Sequence, residues 1–167
     1  MLSKTCALAF GLLLSVIVTA ASALTVTLTT NDPIFTVDFP SKWSVGEIKR
    51  GVEAKSPDEE IYLWFEVFTP AEYDALVVEH QTYFDGQGVK ILGEGKAVSD
   101  AVGGMRVKVT DFPARWKGKP TVLRYLAFDF GLPSQQQVLM SYWASPEGDQ
   151  AHDAAVKAII DSMRPAR

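Results

Sequence analysis

The chain has 167 residues, 47% of them hydrophobic, with 16 basic against 20 acidic side chains, a net charge of −4 and one cysteine. That length suits one domain, which can bury roughly two thirds of its unfolded surface without staples. The acidic balance speaks against sequence-independent nucleic-acid binding, and a lone Cys6 excludes a disulfide framework.

Residues 1–23, MLSKTCALAFGLLLSVIVTAASA, carry Lys4 near the start, an uncharged apolar run from Ala7 to Val18, and Ala21-Ser22-Ala23 as a small-x-small site. This layout predicts a secretory signal peptide cut after Ala23, and so a periplasmic or secreted protein. The apolar run is shorter than the ~20 residues a membrane span needs. Cys6 precedes that run, so it is not placed for lipid modification and leaves with the signal. Losing Lys4 takes the net charge from −4 to −5 and leaves a cysteine-free domain that its core alone must hold together.

Residues 24–33, LTVTLTTNDP, alternate Val26 and Leu28 with threonines and predict an N-terminal arm or edge strand. A single domain is expected over residues 34–165. Ile34 to Phe39 puts Phe35, Val37 and Phe39 on one face of a strand, Pro40 removes a ladder donor, and Trp43 and Val45 resume the alternation. Phe39, Pro40 and Trp43 therefore read as a structural corner between two strands, with Trp43 filling the core.

EIYLWFEVF (Glu60 to Phe68), TVLRYLAFDF (Thr121 to Phe130) and QVLMSYWA (Gln137 to Ala144) are apolar on both parities, which predicts strands buried on both faces. Such a sheet needs cover on each side. Two helical patterns supply it. The first starts near Pro70, carries Tyr73, Leu76, Val77, His80, Tyr83 and Phe84 at helical spacing, and ends at Gly86 and Gly88. The second has Asp149 as its expected cap and a stripe through Val156, Ile159, Ile160 and Met163 before Pro165. Between them, Val89 to Val98 and Met105 to Phe112 read as strands joined over Asp100 to Gly104, and ARWKGKP links the second of these to Thr121 in a long hairpin. The expected fold class is α+β, an antiparallel sheet of about six to eight strands sandwiched between two main helices.

The order of these elements resembles the PsbP-like family, which takes in the extrinsic PsbP subunit of photosystem II, the Ran-binding Mog proteins and many small exported bacterial proteins. The resemblance rests on Phe35-x-Val37-x-Phe39-Pro40-x-x-Trp43-x-Val45, the helix after a buried strand, the Gly103-Gly104 turn before Met105, and the closing AIIDSM helix, about Ile34 to Met163. It implies an antiparallel sheet between helices, a first hairpin at the Pro40 corner, and an accessory or binding protein without catalysis.

The residues themselves show no catalytic or metal constellation: no H-E-x-x-H, no G-x-S-x-G and no C-x-x-C. His80 shares the face of Leu76 and Val77 and reads as a core-boundary imidazole, His152 as solvated. GEGKA lacks the glycine and hydroxyl residue of a phosphate loop and reads as a strand irregularity, and the acidic Asp58 to Glu60 stretch lacks calcium-loop spacing and reads as a solvated connector. Asp111, Arg124 and Asp129 read as charges on the wet side of the long hairpin. RWKGK remains, with Arg115, Lys117 and Lys119 around Trp116 at a hairpin tip, where indole supplies apolar area and the cations supply attraction for an anionic partner or surface. The competing reading folds Trp116 back onto the sheet. The expected function is thus a small exported, non-catalytic, monomeric protein without cofactor, binding an unidentified protein or envelope component; the alternative is a carrier of a small apolar ligand held between sheet and helix.

Overall fold

The computed structural model describes residues 23–29, 33–102 and 104–166. Of the predicted signal peptide only Ala23 is among them, and Gly103 of the paired-glycine turn lies outside them. In chain order the elements are β1 (Ala23–Thr29), β2 (Pro33–Pro40), β3 (Ser44–Ile48), β4 (Gly51–Lys55), β5 (Ile61–Phe68), α1 (Tyr73–Gly86), β6 (Val89–Ile91), β7 (Lys96–Val102), β8 (Met105–Trp116), β9 (Lys119–Asp129), β10 (Gln137–Ala144), α2 (Pro146–Asp161) and β11 (Arg164–Pro165).

The strands form two antiparallel sheets. Eight make a large sheet in the order β3-β4-β5-β10-β9-β8-β6, with β7 also on β8; the other three make a small sheet, β1-β2-β11. The two-sided strands β5, β9 and β10 lie in the middle of the large sheet, where both parities need cover. On one face Leu63, Phe65, Phe128 and Met140 pack against Phe35, Val37 and Phe39 of the small sheet and Val156 and Ile159 of α2. Phe65 bridges the sheets, 6.4 Å from the ring of Phe35 and edge-on to Phe39 at 5.5 Å. On the other face Leu123, Tyr125 and Leu139 pack under Leu76 and Phe84 of α1. The cover is therefore unequal: α1 alone on one side, α2 together with a second sheet on the other.

This alters the reading of the opening corner. β2 and β3 do not pair, because β2 belongs to the small sheet and β3 to the large one. Pro40 and Trp43 make the step between layers rather than a hairpin, closed by the Trp43 N–H donating to the Pro40 carbonyl at 2.9 Å. The Trp43 side chain is 7% exposed and meets His152 edge-on at 6.1 Å.

Several boundaries move for local reasons. The stretch expected as one strand from Val89 is broken into β6 and β7, which lie end to end along β8; a Cβ on Gly95 would come within 2.4 Å of the Thr110 methyl, so only glycine lets the chain pass so close. The β8–β9 hairpin runs on to Trp116 opposite Lys119, so the expected linker is mostly strand, and Lys117-Gly118 alone make the turn, both at positive φ (48° and 81°). Helix α2 is capped by Ser145, whose side chain accepts from the Gly148 N–H at 2.9 Å with Pro146 following; Asp149 instead accepts from the Tyr142 hydroxyl at 2.7 Å.

Candidate functional site

The face under α1 buries three polar side chains side by side. Glu66 interrupts the apolar run of β5, His80 sits in the buried stripe of α1, and Ser141 interrupts β10; the fold stacks all three in one place. His80 Nε2 meets the Glu66 carboxylate, and His80 Nδ1 lies 2.9 Å from Ser141 Oγ. With Glu66 accepting, Nε2 is the donor and Nδ1 accepts the serine hydroxyl. Arg50 closes the outer end, its Nε 3.3 Å from Glu66 Oε1 and its Nη2 on Glu79. A serine, a histidine and a carboxylate in series have the membership of a nucleophilic triad. Here the hydroxyl is 1% exposed, and the shallow recess beside the network is lined by Arg50, Glu66, Glu79 and His80 but not by Ser141. A substrate carbonyl has no approach to Oγ, so the network acts as a satisfied polar tie between α1 and the sheet. Close by, the Tyr125 hydroxyl is buried without a hydrogen-bond partner among the described residues, and burial pushes its pKa well up.

Arg115, Trp116, Lys117 and Lys119 come together at the β8–β9 turn beside the C-terminal end of α1. Trp116 is 39% exposed; its indole N–H donates to the Gln87 carbonyl at 3.0 Å and its ring stands edge-on to Trp143 at 5.6 Å. It therefore lies partly back on the sheet and partly in solvent, between the two sequence expectations. Lys117 Nζ sits 4.4 Å from the centre of the Trp116 ring, and Arg115 donates to the Gly118 carbonyl at 2.9 Å. Among the described residues no carboxylate is within ion-pair distance of Arg115, Lys117 or Lys119; Lys42, Lys49, Lys96 and Lys108 also lack one but are scattered along the chain, whereas the three at this turn stand within five residues.

Beyond the N-terminal end of α1 the same sheet face is left open as a groove of about 520 Å³ between Phe68, Tyr73, Ala127, Lys108, Asp129 and Gln137. Arg106 at its rim is paired with Asp129 at 2.5 Å. The charges expected on one wet side of the hairpin are divided. Asp129 faces this groove, while Arg124 is on the other face with Asp111 at 2.6 Å and the Tyr142 ring at 5.5 Å.

The two remaining sequence candidates prove to be linked. His152 is not fully solvated: its Nε2 lies 2.8 Å from Asp58 Oδ2, so it ties the acidic loop to α2 above Trp43. The Ser56 hydroxyl first, and then His152, hold the Asp58 carboxyl well below its ordinary pKa. Among the described residues no cluster of three or more His, Cys, Asp or Glu could hold a metal, and no helix is long and apolar enough to cross a membrane.

No family model matches this chain, and no curated protein matches it. Solved structures do. The cyanobacterial PsbP (CyanoP) of Synechocystis sp. PCC 6803 superposes with a TM-score of 0.59 at 11% identity, over 89% of this chain and 95% of that one. LpqN of Mycobacterium tuberculosis, described as involved in cell envelope biogenesis, gives 0.55 at 14% identity over 87% and 92%. A protein of Bacteroides thetaiotaomicron gives 0.53 at 12% identity, over 80% of this chain and 45% of its own. The fold is PsbP-like.

Proposed function

We propose that this chain is an exported, non-catalytic accessory protein that recognises an anionic macromolecular partner of the cell envelope through the β8–β9 tip. The observation that carries the reading is the set of three cations, Arg115, Lys117 and Lys119, left without carboxylates around a half-exposed Trp116 in a protein of net charge −4. Exposed cations of this kind attract an anionic surface over about a Debye length, ~8 Å at physiological salt, and the indole adds apolar contact once they have done so. The envelope role described for LpqN, which shares the fold, supports the setting.

Photo-crosslinking from Lys119 in the native envelope tests this. One partner should be captured, capture should fall with added salt, and Arg115→Ala with Lys117→Ala should abolish that salt dependence while leaving the fold intact. A double variant that captures the same partner with the same salt slope overturns the proposal.

A second reading has its own observation. The groove of about 520 Å³ is the right size for a small ligand and has Phe68, Tyr73 and Ala127 on its walls, as a carrier would need. A native mass spectrum of protein from its own host, showing bound ligand, favours this reading over the first.

A further inference from the structure

The large sheet ends on one side in β7, and among the described residues no strand pairs with its outer edge. This edge is unusual because a core row runs straight out to it. Across the sheet, Val52, Phe65, Met140, Leu126, Val109 and Val98 stand opposite one another in register. The first four are buried and Val109 is partly buried, yet Val98 is 66% exposed. The apolar row stops one strand short of cover.

We propose that β7 is a self-association edge, where a second copy of this chain adds its own β7 in antiparallel register about a twofold axis through Val98. In that register residues whose numbers sum to twice 98 face each other. Val98 meets Val98, which completes the apolar row. On the same face Lys96 meets Asp100 of the second copy, and Asp100 meets its Lys96, so both cross-strand charge pairs are complementary. On the opposite face Ala97 meets Ser99, small side chains that leave room for close approach. The strand holds no proline, and its outer row is blunted only near its end, where the Asp100 carboxylate takes the Ala101 N–H at 2.7 Å. The opposite edge, β3, has no such symmetry: about its central Gly46, Val45 would face Glu47. On this proposal the protein is a weak, symmetric dimer, where the sequence led to the expectation of a monomer.

Sedimentation velocity on the exported chain tests this. Wild type should show concentration-dependent association. Lys96→Asp alone and Asp100→Lys alone each place like charges at both contacts and should weaken association by about tenfold or more. An equimolar mixture of the two variants should associate again, because in the mixed pair every contact joins opposite charges. Val98→Lys should abolish association by setting two cations on the axis. All three positions are at the sheet edge, so melting temperatures should stay near wild type, which separates this test from loss of the fold. A wild type that stays monomeric at about 1 mM, or a mixture no more associated than its components, overturns the proposal.

Discussion

The two faces of the large sheet solve the same problem with different chemistry. Toward the small sheet and α2 the side chains are nearly all aliphatic or aromatic, and a second sheet excludes water across most of the surface. Toward α1 a single helix spans the middle, the network of Ser141, His80, Glu66 and Arg50 runs beneath it, and both of its ends are open, one as the groove and one as the cationic tip. The first face is built to be stable. The second spends some of that stability on polar groups and exposed aromatics.

The comparison is broken most directly at the dry side. Trp43→Ala removes a buried indole at the step between layers and should cost about 3 to 5 kcal/mol, a large share of the roughly 5 to 15 kcal/mol that holds such a domain. Urea denaturation measures it. A cost below about 1 kcal/mol would show that water reaches this corner and that the face is not sealed.

On the α1 side the expected penalty has another origin. Glu66→Ala leaves His80 and Arg50 without their shared carboxylate in a buried setting, at an expected cost of about 3 kcal/mol. Ser141→Ala removes only one neutral hydrogen bond and should cost about 1 kcal/mol. If the two variants cost the same, the carboxylate is not the keystone of the network.

How much of this contrast the sequence disclosed follows from what each signal measures. Period-2 alternation in β5 and β9 reports which side chains share a face, and Leu63, Phe65 and Phe128 fall on one side while Trp64, Phe68 and Tyr125 fall on the other. It does not report which sheet a strand joins: Phe35, Val37 and Phe39 alternate identically whether β2 pairs with β3 or lies in a second layer over it. Partner choice is a long-range property, and the small sheet was illegible for that reason. The polar network leaves a trace in the sequence. Glu66 and Ser141 stand inside apolar runs, and His80 inside an apolar helical stripe; three polar residues in three dry elements need one another, because none can be buried alone. The tip was legible as a hairpin end, but its strands run further into ARWKGKP than the linker expected there, and the half-exposed state of Trp116 depends on Gln87 and Trp143, which come from other elements.

Tyr125 sharpens the contrast further. Its hydroxyl is buried on the α1 side and finds no partner among the described residues, so removing the oxygen removes a desolvation cost and no hydrogen bond. Tyr125→Phe should stabilise the protein by about 1 kcal/mol, visible as a raised melting temperature. A loss of stability instead would mean that the hydroxyl is bonded in solution, and that the α1 side is wetter than its packing implies.

The smallest effect is expected at the tip, and it separates a turn from a binding surface. Lys117 holds a left-handed backbone (φ 48°) at a position where the two-residue turn prefers asparagine or glycine. Lys117→Asn should relieve that strain and give up only an exposed contact with the Trp116 ring, for a net gain of about 0.5 kcal/mol. Under the proposed function, what Lys117 contributes in place of a better turn residue is a positive charge beside an exposed indole. The substitution should therefore raise stability slightly while lowering partner capture in the envelope. If stability rises and capture is unchanged, the lysine serves neither the turn nor recognition, and the partner surface must be sought at the groove end of the same face.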